Sequence, residues 1–252
     1  MTNLKDKIAF ITGASSGIGE ATARLLTDSG VRLILAARRI DRLRKLQSEL
    51  RSPVHVIELD VRNQPVVAKA IEQLPSEWKQ IDLLVNNAGL SRGLDKLHEG
   101  QLQDWDEMID TNVKGLLYVS RAVIPGMVSR GRGHIINVGS IAGHEVYPGG
   151  NVYCASKHAV GAITKGLRLD LNGTPIRVST VDPGLVETEF SIVRFHGDSE
   201  RAGKTYQGLK PLSPVDIAEA ILWIANRPEH VQVAEVIILP TAQASTTLVS
   251  RK

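Results

Sequence analysis

The chain has very little cysteine and few aromatic residues. One cysteine, Cys154, occurs among the 252 residues, and Phe, Trp and Tyr together make up 4%. A single cysteine excludes an internal disulfide and a zinc site built from cysteines, which suits a reducing compartment. No apolar run approaches the ~20 residues of a membrane-spanning helix, and no signal-peptide pattern precedes the first apolar run at residues 8–11. We therefore expect a soluble, cytoplasmic protein with no membrane partner.

The chain also lacks a strong charge of either sign. Lys and Arg number 30 against 27 Asp and Glu, which gives a net charge of +3. The basic clusters at residues 38–45 and 130–133 are interrupted or short, and no aromatic residues run through them to stack on bases. We therefore expect no nucleic-acid partner. The seven histidines show no metal-ligand spacing, so no metal is expected.

What is present is a large apolar fraction arranged in short runs. Hydrophobic residues make up 42% of the chain, enough for a substantial core. Candidate strands, rich in β-branched residues, lie at residues 8–12, 31–36, 54–59, 81–86, 134–138, 176–181 and 233–239. The runs are continuous rather than alternating, which indicates strands covered on both faces. Helical spacing between them predicts an α/β fold, a Rossmann-like doubly wound parallel sheet with helices on both faces.

One domain spanning residues 1–252 is expected, because the chain has no linker, repeat or low-complexity tract. Apolar residues at helical spacing between Ile18 and Leu26 predict a helix that ends at Gly30. Residues 187–214 form the one long polar stretch. A loop of that length in a compact domain is usually functional, and we interpret it as a substrate lid.

A glycine-rich turn follows the first predicted strand and leads into that helix. It reads Gly13-x3-Gly17-x-Gly19, with Ser15, Ser16 and Ile18 between the glycines. Glycines let a backbone approach a pyrophosphate, and the helix start favours negative charge. A tight strand-to-helix connection with no ligand is the alternative interpretation.

The end of the second predicted strand indicates which dinucleotide would bind. An acid there would accept hydrogen bonds from the ribose of NAD, whereas this chain has Arg38 and Arg39. Guanidinium groups can pair with a 2′-phosphate, so the predicted cofactor is NADP(H). Arg39 could instead cap or solvate the next helix. Asp60 and Val61, at the end of the third strand, are candidates to bracket the adenine.

Three residues suggest acid-base chemistry. Tyr153 and Lys157 are four residues apart and share one face of a predicted helix, and Ser140 follows the fifth strand. A phenol has a pKa near ~10, and an adjacent ammonium lowers the pKa of that phenol. The pair is therefore expected to exchange protons near neutral pH.

Taken together, these motifs resemble the short-chain dehydrogenase/reductase family over essentially the whole chain. The family's order and spacings are matched by the glycine-rich turn, by Asn87 to Gly89 after the fourth strand, and by Asn112, Ser140, Tyr153, Lys157 and the pair Pro183 and Gly184. The resemblance implies an enzyme in which the nicotinamide supplies hydride.

The resemblance also implies a role for each residue. Tyr153 gives a proton to the carbonyl oxygen, Ser140 hydrogen-bonds the same oxygen, and Lys157 holds the nicotinamide ribose. Asn112 holds a water in a proton relay. The remaining cofactor contacts implied are Asn87, Ala88, Gly89, Pro183, Gly184, Val186 and Thr188.

Within the family, residues 105–112, 147–153 and 188–198 are similar to NADP-dependent 3-hydroxy acid dehydrogenases. This similarity implies a small-molecule substrate of the serine or 3-hydroxypropionate type, or the matching semialdehyde. An anionic substrate needs a cationic clamp, for which Arg194 is the candidate. Arg194 could instead pair with Asp198 or Glu200. Tyr147, His144 and Glu145 are candidates to line the pocket.

Other functions remain open at this point. Inside the enzyme class they are a sulfoacetaldehyde reductase and a reductase of larger 3-oxo compounds. Outside it, the fold could serve a non-catalytic NADPH-binding sensor. Segments 105–127 and 153–171 carry apolar residues on more than one face, and the resemblance implies a homotetramer. The tail, residues 239–252, could reach a neighbouring subunit.

Overall fold

Seven strands form one parallel sheet in the computed structural model, which describes residues 4–252. The first three residues of the predicted domain lie outside the described residues. The strands are β1 (Ile8–Thr12), β2 (Arg32–Ala37), β3 (Val54–Glu58), β4 (Ile81–Asn86), β5 (Gly133–Val138), β6 (Ile176–Pro183) and β7 (Glu235–Ile238). Their order across the sheet is β3-β2-β1-β4-β5-β6-β7. All seven predicted strands are therefore present, each with ends within two residues of the predicted ends.

Helices cover both faces of the sheet. They are α1 (Gly17–Asp28), α2 (Ile40–Glu49), α3 (Gln64–Glu72), α4 (Leu102–Ile109), α5 (Leu116–Arg130), α6 (Asn151–Asp170), α7 (Phe190–Arg194), α8 (Ser199–Lys204) and α9 (Pro214–Ala225). One apolar cluster joins α1, α2 and α9 to one face, and a second joins α3 and α5 to the other. This arrangement confirms the predicted doubly wound fold.

Burial on both faces holds for the middle of the sheet and fails at its edges. Every residue of β1 and β4 is buried or nearly so, because neighbouring strands and both helical layers cover them. Strand β3 is only half-buried, and in β7 exposed and half-buried residues alternate. The prediction that all strands are covered was therefore wrong for these two, since an edge strand has a neighbour on one side only.

The first helix ends as its sequence predicts. Ser29 caps α1, and Gly30 follows with φ +74. Few residues other than glycine adopt that backbone without strain. The turn reverses the chain into β2, because the backbone N–H of Gly30 donates to Thr27 and that of Val31 donates to Leu26.

The strand order sets the position of the site. The chain moves outward from β1 to β3, then returns to β4 on the other side of β1. Loops after β1 and β4 therefore leave in opposite directions, and a crevice opens between them at the carboxyl ends of the strands. The same edge collects the loops after β2, β5 and β6.

The segment 187–214, predicted as one long loop, contains two short helices, α7 and α8. The side chain of Asp198 caps α8 by accepting from the backbone N–H of Arg201. Val186, just before the segment, pairs with Leu212 near its end, so the segment returns close to its origin. None of the helices between residues 4 and 252 combines the length and apolar character needed to span a membrane.

The central strands should dominate stability. Leu84 in β4 is fully buried, so Leu84→Ala should lower the free energy of unfolding by about 3 kcal/mol through lost burial and a residual cavity. Leu102 in α4 is exposed, and Leu102→Ala should change the free energy of unfolding by less than about 0.5 kcal/mol. Urea unfolding followed by circular dichroism measures both. Equal losses in the two variants would contradict this account of the core.

Candidate active site

A cleft of about 510 Å³ opens at the carboxyl edge of the sheet. It brings together most of the predicted cofactor and substrate residues. Those that line it are Gly13, Ser15, Ser16, Gly17, Ile18, Arg38, Arg39, Asp60, Val61, Asn87, Ala88, Gly89, Ser140, Tyr147, Tyr153, Lys157, Pro183, Gly184, Val186, Thr188 and Arg194. Gly19 and Asn112 are not among the lining residues and lie behind the cleft wall.

The glycine-rich turn has a backbone that side chains would disturb. Gly13 and Gly17 have φ +66 and +56, the left-handed region that favours glycine. A Cβ at Gly13 would lie 2.9 Å from the Cα of Ala88. A Cβ at Gly19 would lie 2.5 Å from the side-chain nitrogen of Asn87. The glycines therefore permit close approach of the loop after β4, and they leave the cleft side of the turn open.

Asn87 ties the two loops together. Its side-chain nitrogen donates to the carbonyls of Thr12 at 2.9 Å and Gly13 at 3.1 Å. The hydroxyl of Thr12 accepts from the backbone N–H of Ala88 at 3.0 Å. These bonds hold the loops after β1 and β4 together at the crevice between the two strands.

Arginines lie above the glycine-rich turn. Arg39 donates to the hydroxyls of Ser15 at 3.2 Å and Ser16 at 2.8 Å, and it pairs with Glu189 at 2.9 Å. Arg42 pairs with the same carboxylate at 2.7 Å, which holds the pKa of Glu189 below its usual value. Arg39 precedes α2 without capping it through its side chain. Arg39 nevertheless occupies the N-cap position of α2, where its backbone carbonyl accepts from the N–H of Leu43 at 3.3 Å. The capping alternative therefore holds for its backbone, while its side chain contacts the glycine-rich turn.

Arg38 is the less engaged of the two predicted arginines. Its side chain is 53% exposed, and its guanidinium approaches the carboxylate of Glu107 at 3.7 Å. Asp60 forms a bidentate pair with Arg62, at distances of 2.6 to 3.0 Å. The carboxylate of Asp60 is therefore neutralised by its neighbour, while Val61 offers the cleft an apolar side chain.

Ser140 begins a single 3-10 turn directly after β5. Its side-chain oxygen accepts from the backbone N–H of Ala142 at 3.1 Å. Its backbone N–H donates to Asp182 at 3.2 Å. The side chain of Ser140 faces the phenol of Tyr153 and opposes the rise in the pKa of that phenol. Two different elements, the end of β5 and helix α6, thus place their hydroxyls at one point of the cleft.

Lys157 lies one turn after Tyr153 on α6 and is 7% exposed. Its ammonium donates to the backbone carbonyl of Val138 at 2.9 Å. It lies 6.0 Å from the centre of the Tyr153 ring. Burial lowers the pKa of Lys157 to about 8, and the negative charge of Asp182 opposes that shift.

The pKa of the Tyr153 phenol is shifted in the direction opposite to the one that the sequence predicts. Burial first, and then the neighbouring Tyr147, raise the pKa of Tyr153 well above its usual value, while Arg194 and the hydrogen bond from Ser140 oppose this. Lys157 points its ammonium at Val138 rather than at the hydroxyl. The expected lowering of the Tyr153 pKa by Lys157 is therefore not seen in the protein alone, because desolvation outweighs the ammonium at that distance.

Asn112 lies in a six-residue π-helical stretch between α4 and α5. Its amide oxygen accepts from the backbone N–H of Leu90 at 2.8 Å, and its nitrogen donates to the Leu90 carbonyl and to Ser156. A Cβ added to Gly89 would lie 3.3 Å from the Asn112 oxygen and 3.6 Å from the Lys157 ammonium. Asn112 is therefore beside Lys157, separated from the cleft by Gly89.

Arg194, at the end of α7, points into the cleft. It donates to Ser91 at 2.9 Å and to the hydroxyl of Tyr147 at 2.5 Å. Its guanidinium carbon lies 5.2 Å from the centre of the Tyr153 ring. Among residues 4–252, no carboxylate oxygen lies within 4.0 Å of a guanidinium nitrogen of Arg194. The predicted alternative, pairing with Asp198 or Glu200, is therefore wrong.

Some residues near the cleft were not predicted, and two candidates to line the pocket, His144 and Glu145, are not among its lining residues. The carboxylate of Glu145 instead accepts from the backbone N–H of Thr246 at 2.8 Å. Gln243 and Thr246, from the tail, line the cleft, and the tail has no helix or strand period that could have indicated this. His144 is absent from the lining; its ring nitrogen contacts Asp182 at 3.1 Å and Glu235 at 3.4 Å. One side-chain nitrogen or oxygen atom from each of His144, Asp182 and Glu235 lies within 4.8 Å of the other two. The spacing of these residues along the chain did not predict this cluster.

Comparison with known families identifies the arrangement. The model of the short chain dehydrogenase family matches residues 7–198. The chain belongs to the short-chain dehydrogenase family. This membership shows that it is an oxidoreductase by descent, and it agrees with the family resemblance of the sequence motifs.

Individual relatives are similar over nearly the whole chain. The NADP-dependent 3-hydroxy acid dehydrogenase YdfG of Salmonella typhi is 50% identical, covering 94% of this chain and 96% of the relative. An NADP-dependent 3-hydroxy acid dehydrogenase of Schizosaccharomyces pombe is 46% identical, covering 100% and 99%. The closed form of a serine dehydrogenase complexed with NADP+ superimposes with a TM-score of 0.93 at 46% identity, covering 97% and 99%.

The buried ammonium should make stability depend on pH. The pKa of Lys157 falls from 10.5 to about 8 on folding, which corresponds to about 3 kcal/mol of destabilisation below pH 8. Between these values the unfolded chain binds more protons, so this penalty disappears as pH rises. Lys157→Met should therefore unfold at higher urea than the wild type at pH 7. The difference in urea midpoint between this variant and the wild type should shrink towards pH 10.5. A difference that stays constant with pH would contradict the titration of Lys157.

Proposed function

We propose that the protein is an NADP(H)-dependent oxidoreductase that interconverts a short 3-hydroxy acid, of the serine or 3-hydroxypropionate type, and its semialdehyde. One observation carries the proposal: an arginine without a carboxylate partner, Arg194, lies 5.2 Å from the ring of Tyr153, the acid-base candidate. A cation at that distance suits a substrate with a carboxylate close to its reacting carbon. The printed names of relatives at 46 to 50% identity agree.

The residues present fit a 2′-phosphorylated dinucleotide. Gly13 and Gly17 line the cleft without side chains of their own, and the start of α1 favours phosphate there. Arg38 and Arg39 would hold the 2′-phosphate, with Asp60 and Val61 beside the adenine. Asn87 to Gly89, Val186 and Thr188, together with Pro183 and Gly184, would border the nicotinamide half.

The chain's own residues would complete the reaction by moving a proton. When bound, the nicotinamide supplies or accepts the hydride. Ser140 and Tyr153 hold the substrate oxygen between two hydroxyls, and Tyr153 gives that oxygen its proton during reduction. Lys157, held by Val138, would contact the nicotinamide ribose and stabilise the charge that develops on Tyr153. Asn112, beside Lys157, would hold water for proton return.

Arg194 would bind the substrate carboxylate. Neutral partners, Ser91 and Tyr147, hold its Nε and one terminal nitrogen, so its charge remains available to a ligand. The hydroxyl of Tyr147 would share the carboxylate with it. A sulfonate would fit the same cation, which keeps a sulfoacetaldehyde reductase as the alternative substrate assignment. A bulky 3-oxo compound would not use this charge.

We also propose a homotetramer in the cytoplasm, with residues 187–214 as a lid on one domain. Exposed Leu117 and Leu169 on α5 and α6 support an interface between copies. A lone buried Cys154 agrees with a reducing compartment. The lid assignment is supported by Arg194 and Phe190, which the segment contributes to the cleft wall.

A substrate panel tests the proposed function. Purified protein with NADPH or NADH is offered malonate semialdehyde, sulfoacetaldehyde, propanal and a bulky cyclic ketone, and nicotinamide absorbance is followed. We expect the highest kcat/KM for the semialdehyde with NADPH. Faster turnover of propanal or of the ketone would reject the carboxylate assignment, and binding of NADPH without any turnover would favour the sensor alternative.

Tyr153→Phe separates proton transfer from binding. Because the ring stays and only the hydroxyl is lost, kcat should fall by at least about 10²-fold, while NADPH affinity, measured by fluorescence, should change less than about twofold. Retained turnover would refute the acid-base role of Tyr153.

Arg194→Ala should affect anionic substrates selectively. A charge-assisted hydrogen bond contributes about 1.5–3 kcal/mol, so KM for malonate semialdehyde should rise roughly 10- to 100-fold. KM for propanal should change little. Arg201→Ala is the matched control, since Arg201 in α8 stacks on Phe195 and is not part of the cleft wall. Equal effects of Arg194→Ala on both aldehydes would discard the clamp.

A further inference from the structure

The turn that carries Ser140 is fastened at both ends by one carboxylate. At its start, the backbone N–H of Ser140 donates to Oδ1 of Asp182 at 3.2 Å. At its end, the ring nitrogen Nε2 of His144 contacts Oδ2 of Asp182 at 3.1 Å. The turn Ile141–Gly143 lies between these two contacts. Asp182 is in β6, so the sheet holds both ends of the turn in place.

Asp182 is itself held with little freedom. It is 4% exposed, and its Oδ1 also accepts from the hydroxyl of Thr180 at 2.9 Å. A Cβ on Gly139 would collide with Oδ1, so only glycine fits at the position before Ser140. A buried side chain with both oxygens engaged has one orientation, and it transmits that orientation to the turn.

The same carboxylate acts on Lys157. The ammonium of Lys157 donates to the carbonyl of Val138, and the carboxylate of Asp182 accepts from the N–H of Ser140, so the two charges contact one short loop from both sides of Gly139. The charge of Asp182 favours the protonated form of Lys157 and opposes the lowering of its pKa by burial. The other charged or titratable groups around this pair are Tyr153 on α6, His144 after the turn and Glu235 in β7. Burial raises the pKa of Asp182, the hydrogen bonds from Thr180 and His144 oppose that rise, and the charge of Glu235 adds to it. Loss of the Asp182 charge would therefore leave the ammonium with burial alone acting on it.

We propose that Asp182 is a positioning residue for the reaction: it fixes the turn that presents Ser140, through its two ends, and it places a negative charge near the ammonium of Lys157. This inference rests on the proposed roles of Ser140 and Lys157. Asp182 need not touch substrate or cofactor to act in this way. His144 is the second anchor of the turn, and Glu235 contacts His144 but not the turn itself.

Two variants separate the two effects. Asp182→Asn keeps the size and an acceptor oxygen for Ser140 but removes the charge. For aldehyde reduction by the NADPH complex, kcat should fall about tenfold at neutral pH, and the alkaline limb of its pH profile should move down by at least about one unit. His144→Ala keeps the charge of Asp182 but frees the end of the turn. In this variant kcat should fall, KM should stay nearly constant, and the alkaline limb of the pH profile should not move.

Glu235→Gln is the matched control, because it removes a nearby carboxylate that contacts His144 at 3.4 Å. Since the charge of Glu235 raises the pKa of Asp182, Asp182 keeps its own charge in this variant. Its kcat and its alkaline limb should match the wild type. The proposal is overturned if Asp182→Asn keeps the wild-type limb, or if Glu235→Gln moves the limb as far as Asp182→Asn does. If Asp182→Asn does not fold, as judged by circular dichroism, His144→Ala decides alone, and wild-type kcat in that variant overturns the proposal.

Failure of the inference is distinguishable from failure of the proposed function. If the wild type prefers propanal to malonate semialdehyde, the carboxylate assignment fails, and the variants are compared on propanal instead. If the wild type prefers the semialdehyde while Asp182→Asn has its kcat and pH profile, the proposed function stands and the inference about Asp182 fails.

Discussion

The candidate site is organised around a buried ammonium. Lys157 is almost inaccessible, and burial lowers its pKa to about 8, so the fold holds a charge at a position that disfavours it. Two features make this possible: the carbonyl of Val138, which accepts from the ammonium, and the carboxylate of Asp182, whose charge opposes the shift. A bound ribose would supply further oxygen acceptors. The protein is therefore prepared for a polar ligand before the ligand arrives, which is the arrangement expected where reorganisation would slow a reaction.

The parallel sheet provides the means to build such a site. All strands end at the same edge, so residues far apart in the chain meet there without long connections. Gly13 after β1, Ser140 after β5 and Asp182 near the end of β6 are examples, and Tyr153 and Lys157 reach the same edge from α6. The loops themselves are fixed by side chains of neighbouring loops, as when Asn87 bonds to Thr12 and Gly13. The rigidity of the site is thus a property of the sheet edge as a whole.

Charge is distributed unevenly over the segment 187–214. At one end, Glu189 pairs with both Arg39 and Arg42 above the glycine-rich turn. A few residues later, Arg194 is held by the hydroxyls of Ser91 and Tyr147. The first contact fastens the segment across the half of the cleft that contains the glycine-rich turn, and the second brings a charge to the half that contains Tyr153. One segment therefore contacts both parts of the site, and its position over one half constrains its position over the other.

The sequence alone determined the fold and most of the residues around the cleft. Continuous apolar runs at regular spacing predict parallel strands because both faces must be buried, and residues such as Gly13 and Tyr153 occur in local patterns with a direct physical meaning. Only the tertiary structure decided how these groups act on one another. The pairing of Asp182 with Ser140 and His144 joins residues about forty positions apart, and the pKa of Tyr153 depends on burial that no local pattern specifies. Electrostatics and hydrogen bonds follow distances in space, and distances between remote segments exist only once the sheet has brought the loops together.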